Sequence, residues 1–117
     1  MKGIIKTSTR TILVKVRLGN SARPSDILVT ARETTIPGLV VHRDIDQRGN
    51  QLLKGWSITH EASGRAIRAG IDSFMTARRI IDLLADSGVD WTQSRSEVRT
   101  KENARRFRAI LDSMDAA

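Results

Sequence analysis

The hydrophobic period of this chain changes once, near Asp72, and that change limits the fold more than any other feature. Before it, apolar residues alternate. Ile12, Val14, Val16 and Leu18 fall on one side of an extended chain, Thr11, Leu13, Lys15 and Arg17 on the other. A second strand is expected from Ile27 to Thr35, with Ile27, Val29 and Ala31 opposite Leu28, Thr30 and Arg32. A third is expected from Leu39 to Ile45. A fourth runs from Leu52 to His60, with Trp56, Ile58 and His60 facing away from Ser57 and Thr59, and a short fifth from Arg65 to Gly70. The separators are turn-formers: Gly19 to Ser25, Pro37-Gly38, Asp46 to Asn50, and Glu61 to Gly64.

After Asp72 the period becomes helical. Asp72 or Ser73 offers an N-cap, Phe74, Ala77, Ile80, Ile81 and Leu84 form an apolar stripe, and Gly88 sits where a left-handed C-cap is expected. Trp91 is expected to plug into the core. Ser94 and Glu97 have capping-box spacing. Phe107, Ile110, Leu111 and Met114 then repeat at helical intervals, so a second helix is expected within 96–114, starting as late as Thr100. The architecture is α+β: an antiparallel meander of four to five strands, then one or two C-terminal helices. The 117 residues suit one domain, a basic sheet plus helix over 1–90 with a helical extension over 91–117. The first helix should cover one sheet face, leaving the other open or under a partner subunit.

Composition removes several classes of function. The chain has no Cys, hence no disulfide framework, thiolate metal site or thiol nucleophile. No apolar run approaches the ~18–20 residues of a membrane span, and the first residues lack a signal-peptide core. A cytoplasmic location is expected. The net charge of +7 points toward polyanions.

That charge is uneven. Lys2, Lys6, Arg10, Lys15, Arg17 and Arg23 lie in a stretch with no acid, and Lys15 and Arg17 alternate with core residues. Such a strand can follow a phosphate backbone; the same charges also serve to protect a sheet edge from aggregation. A second group, Arg95, Arg99, Lys101, Arg105, Arg106 and Arg108, is diluted by Glu97 and Glu102. Arg outnumbers Lys 15 to 5, which suits bidentate phosphate contact, although a GC-rich genome produces the same bias. Aromatics are scarce: two Trp, two Phe and no Tyr. Phe74 and Phe107 fall on helix stripes and read as core. Trp56 is the one ring on a strand and the one candidate for base stacking.

Catalytic signals are weak. His42, Asp44 and Asp46 alternate on one strand and could serve as hard-metal ligands or an acid–base cluster, but Asp46 already reads as turn. His60, Glu61 and Ser63 sit in a hairpin turn with no nucleophile elbow. No phosphate-cradling glycine–lysine loop is present.

The order of strands followed by a helix, on a small basic chain, resembles the Whirly and transcriptional-coactivator type of single-stranded-DNA-binding fold over roughly Thr11 to Gly88. That resemblance rests on element order and transfers no site residue. It implies a curved antiparallel sheet crossed by single strands and a helix that helps dimerisation. The Trp56-Ser57-Ile58-Thr59-His60 hairpin before a helix also resembles small phage and mobile-element proteins.

The functional expectation is a non-catalytic protein that binds nucleic acid, DNA first, single-stranded or without sequence preference. Lys15, Arg17, Arg32, Lys54 and Trp56 are expected on or beside the sheet, with Lys6, Arg10 and Arg23 flanking it. No cofactor, metal, membrane or small-molecule substrate is expected, and a homodimer is favoured. The alternative is an assembly module, a phage accessory or regulatory protein, that docks through Phe107, Ile110, Leu111 and Met114.

Overall fold

A computed structural model of the protein describes residues 3–93 together with 103, 105, 106, 108–110 and 112. Five strands, β1 (Ile5–Val16), β2 (Ser25–Thr34), β3 (Leu39–Ile45), β4 (Gln51–His60) and β5 (Arg65–Ile71), form one antiparallel sheet in the order β1-β2-β3-β4-β5. Helix α1 (Phe74–Ala85) follows. The α+β meander expected from the sequence is the observed fold.

Ser73 caps α1: its Oγ accepts the Thr76 N–H at 3.1 Å. The helix stops at Asp86, two residues before Gly88, with the Asp86 N–H donating to the Leu83 carbonyl and the Ser87 N–H to the Leu84 carbonyl. The first strand begins at Ile5, six residues before the alternation at Thr11 becomes visible. Lys6 through Thr11 are all exposed. Ile5 pairs with Thr34 and Thr9 to Thr11 pair with Arg32 to Thr30 of β2, with a register irregularity between Ile5 and Thr9, a backbone contribution that hydropathy cannot register.

The two sheet faces have separate cores. On the helix side, Leu39, Val41, Ile58 and Ile71 pack against Ala77, Ile80, Ile81 and Leu84 of α1, with Ile5 and Trp91 completing the cluster. Trp91 is buried there, as its expected anchor role requires. Ile110 from the tail packs against the same cluster. The described tail residues are helical.

The other face is not open, which corrects the sequence expectation. It curls on itself and buries Ile12, Val14, Val29, Ala31 and Val40, with Val16, Ile27 and Ile45 packed around them. Two features produce the curl. The β2–β3 ladder is short, pairing Arg32 with Val41 and Glu33 with Val40, so the rest of the β1–β2 hairpin diverges from β3. The Gln51 side chain partly fills the gap, donating to the Thr30 carbonyl at 3.0 Å and accepting the Thr30 N–H at 3.1 Å. Across the sheet, β1 meets the β4–β5 turn, where the Lys15 N–H donates to the Gly64 carbonyl at 2.7 Å. Gly64 has φ +70, and a Cβ there would stand 3.1 Å from the Leu13 carbonyl oxygen, so glycine suits this approach. The sheet is thus bent into an incomplete barrel whose seam lies between β1 and β5.

Candidate nucleic-acid interface

Helix α1 covers only part of its side of the sheet. Where it begins, its first residue, Phe74, meets Trp56 of β4 edge-on, with centroids 5.1 Å apart. Beyond that contact the surface is held by side chains of β1 to β4. The Arg43 guanidinium lies 3.9 Å over the Trp56 ring, and the Arg32 guanidinium 4.6 Å over the Phe74 ring. Together they form a continuous row, Arg43–Trp56–Phe74–Arg32. Arg43 and Trp56 are direct cross-strand partners. Arg32 is oriented by its Nε–H, which donates to the Lys6 carbonyl at 2.9 Å. All four side chains are half-buried. Each guanidinium is therefore held by a ring with part of its N–H fork facing water, a geometry suited to phosphate or base edges.

The same outward surface continues over the β1–β2 hairpin. Leu13 and Leu28, cross-strand partners, are 55% and 67% exposed, an unusual pair of bare apolar side chains on a sheet. Thr11 and Thr30 flank them on one side and Lys15 and Asp26 on the other.

The candidate cations divide into two groups. Arg10 faces the curled side, where its guanidinium binds the Glu61 carboxylate and lies 3.8 Å from Glu33. The hydrogen bond it donates to Glu61 raises the Arg10 pKa above its ordinary value. This pair is a staple across the seam, with the Arg10 charge taken up by carboxylates. Lys15 donates to Asp26 at 2.8 Å, which neutralises it too. By contrast, Lys6, Arg17, Arg23, Arg32, Arg43 and Lys54 have no carboxylate within salt-bridge distance among the described residues. Lys6, Arg17, Arg23 and Lys54 are exposed. Sequence reasoning missed Arg43, which lies between His42 and Asp44 on β3. Of the tail residues, Ile110 packs on the chain's own core, and Phe107, Leu111 and Met114 lie outside the described residues.

A second constellation lies inside the curl. A cavity of about 320 Å³ is lined by Val14, Val16, Ile45 and Leu52 on its apolar walls and by His42, Asp44, Ser57 and Thr59 on its polar floor. His42 is buried. Its Nδ1 lies 2.7 Å from the Arg43 carbonyl, which can only accept, so that nitrogen carries the proton. Its Nε2 then accepts from the Thr59 hydroxyl at 2.7 Å. Burial holds the imidazole pKa below its ordinary value, against smaller upward effects of the Arg43 carbonyl and the Asp44 charge. Asp44 accepts the Ser57 hydroxyl at 2.6 Å and the Gly70 N–H at 3.2 Å. It nests against Gly55, φ +76, where a Cβ would fall 2.2 Å from its Oδ2. Asp46, the third acid of the run, turns away and accepts the Arg48 and Asn50 N–H groups of its own turn. Those bonds lower its pKa. Among the described residues no three His, Asp or Glu side chains converge to hold a metal ion. His60 accepts from or donates to Ser63 at 2.8 Å and meets the Gln93 carbonyl at 2.8 Å. These bonds tie the hairpin turn to the segment after Trp91.

Among the described residues no helix is long and apolar enough to cross a membrane. No protein-family model, curated protein or solved structure matches the chain.

Proposed function

We propose that the protein is a non-catalytic nucleic-acid-binding module that takes single-stranded chains, DNA first, with little sequence preference, across the uncovered half of its helix-side sheet face. The observation that supports this reading best is the Arg43–Trp56–Phe74–Arg32 row. It sets a guanidinium over each of two ring faces, and its spread over three strands and the start of α1 suits an extended strand. Lys6 and Lys54 are exposed cations of the same sheet, and Arg17 and Arg23 extend the positive charge to the β1–β2 loop. The net charge of +7 favours association with any polyanion and makes the binding sensitive to salt.

The test is fluorescence anisotropy with labelled single-stranded DNA, duplex DNA and RNA at two salt concentrations. Single strands should bind best. If Lys6, Arg32, Arg43 and Lys54 each neutralise one phosphate, log Kd should rise with log salt with a slope of about 3. Equal binding of duplex and single strands, or a flat salt response, would reject the proposal.

A second reading, an assembly module, is favoured by one observation, the exposed Leu13–Leu28 pair. A dimer formed there should give a light-scattering mass near twice 13.0 kDa, and Leu28→Lys should return it to a monomer.

A further inference from the structure

The cavity inside the curled sheet has no part in the interface just described, and the polar side chains of its floor have already committed their protons. The Ser57 hydroxyl donates to Asp44, and the Thr59 hydroxyl donates to His42. The proton on His42 Nδ1 goes to the Arg43 carbonyl. These side chains can offer a ligand only acceptors: the Asp44 carboxylate and the remaining lone pairs of Ser57 and Thr59.

Asp44 is also the one charge on this floor. Among the described residues no cation lies within salt-bridge distance of it. Lys15 lends the lining its stem, but its ammonium sits on Asp26 at 2.8 Å. Arg65 and Arg68 of β5 pair with His60 and Ile58, whose side chains pack on the helix side, so these cations also lie away from the cavity. Burial favours the neutral form of His42. Beside the carboxylate stand the apolar walls, Val14, Val16, Ile45 and Leu52. A carboxylate in such surroundings gains from a counter-charge more than one in open water does.

The ligand classes that suit acceptors separate on this chemistry. A hard metal ion takes more oxygen ligands than one carboxylate supplies, and among the described residues no three His, Asp or Glu side chains converge. A hydroxyl or a neutral ring N–H donates one proton, leaves Asp44 without a counter-charge, and a hydroxyl adds lone pairs that these side chains cannot satisfy. A primary ammonium brings three donors, no acceptor and a positive charge, against the three acceptors Asp44, Ser57 and Thr59. The volume of about 320 Å³ leaves room for a hydrocarbon body, since a cavity of about 150 Å³ already holds a benzene ring.

We infer that the cavity between β1 and β5 is a binding site for a small aliphatic primary amine, its ammonium on Asp44, Ser57 and Thr59 and its hydrocarbon body against Val14, Val16, Ile45 and Leu52. The site is separate from the nucleic-acid interface and does not depend on it.

The test is an NMR titration of the labelled full chain at pH 7 with 3-methylbutylamine and with 3-methylbutanol, a pair of equal shape in which only the amine is charged. The amine should shift the Ser57, Thr59 and Gly70 amide signals and bind about tenfold or more tightly than the alcohol. In Asp44→Asn, checked for folding by its amide spectrum, the two should bind alike. Ala69 is an exposed residue of the lining, so Ala69→Leu narrows the cavity without touching its floor and should weaken the amine about tenfold. Equal affinity for amine and alcohol in the native chain, shifts confined to the outer face near Trp56, or amine binding unchanged in Ala69→Leu would each overturn the inference, as would absence of binding by the amine.

Discussion

On the helix side of the sheet, Leu39, Val41, Ile58 and Ile71 meet Ala77, Ile80, Ile81 and Leu84, side chains supplied by two separate layers, sheet and helix. On the curled side, Ile12, Val14, Val29, Ala31 and Val40 all come from the sheet itself. The first core uses a second layer to exclude water. The second must bend its own layer, and it closes only as far as its seam contacts carry it: the Lys15–Gly64 backbone bond and the Arg10–Glu61 pair. Where those contacts end, β1 and β5 separate around the cavity. A helix shorter than the face it covers leaves an outer surface, and a sheet that does not close leaves an inner one. Both candidate sites arise at the limits of a core.

The contrast can be broken first at its strongest point. Ile58 is fully buried between sheet and helix, and Ile58→Ala should cost about 2–5 kcal/mol by urea denaturation. The milder Ile12→Val in the second core should cost about 0.5–1.5 kcal/mol. If Ile12→Val proved the more damaging, the curled side would be the dominant core.

Gly38→Ala comes next. Gly38 has φ +92, and an added Cβ would lie 2.2 Å from the Trp91 carbonyl oxygen. Backbone strain and the clash should together cost more than ~1 kcal/mol and loosen Trp91, seen as a shift in its fluorescence. An unchanged melting curve would mean the segment at Trp91 is not held against this turn.

The curled side should also be the more sensitive to mild acid. A histidine whose folded pKa lies below its unfolded value of about 6.5 leaves stability unchanged above that pH. As pH falls through the unfolded value, the unfolded chain takes up the proton first and stability declines. The urea midpoint should therefore drop between pH 7 and pH 5 in the native chain and drop less in His42→Gln. Asp46 and Asp90 act lower: their folded pKa values lie below 3.8, so their contribution is present above the unfolded value and lost below it. An equal drop in His42→Gln would assign the mild-acid response elsewhere.

The smallest effect is expected at the seam staple. The Arg10–Glu61 pair is partly exposed, so Glu61→Ala should cost only about 0.2–1 kcal/mol. A larger loss would show that the curl depends on this pair more than on its apolar residues.

Much of this fold is legible in the residues. The alternation from Ile12 to Val16, the turns at Pro37-Gly38 and at Glu61 to Gly64, the Ser73 cap and the Trp91 anchor all follow from local chemistry. The curl is not local. It depends on where β2 parts from β3 and on Gly64 receiving β1, contacts between residues far apart in the chain. The site divides the same way. Trp56 and Arg32 could be named from strand position and residue type. Arg43 could not, because its place over Trp56 is set by the β3–β4 register, which shifts between Arg43 and Ile45. Arg10 and Lys15 carry the right charge in sequence, but their carboxylate partners appear only when strands are paired.

The most direct test of the account compares two single charge deletions by anisotropy on labelled single-stranded DNA at low salt. Arg43→Ala removes the guanidinium over Trp56, whereas Arg79→Ala removes an exposed arginine from α1. Both variants lose the same charge, so a purely diffuse attraction would weaken equally in each. Binding across the uncovered sheet face should give a loss of about tenfold or more for Arg43→Ala and at most about twofold for Arg79→Ala, with the first loss deepened in the Arg43→Ala, Trp56→Leu double variant. Equal losses, or no loss at Arg43, would contradict the claim that the uncovered sheet face carries the nucleic acid.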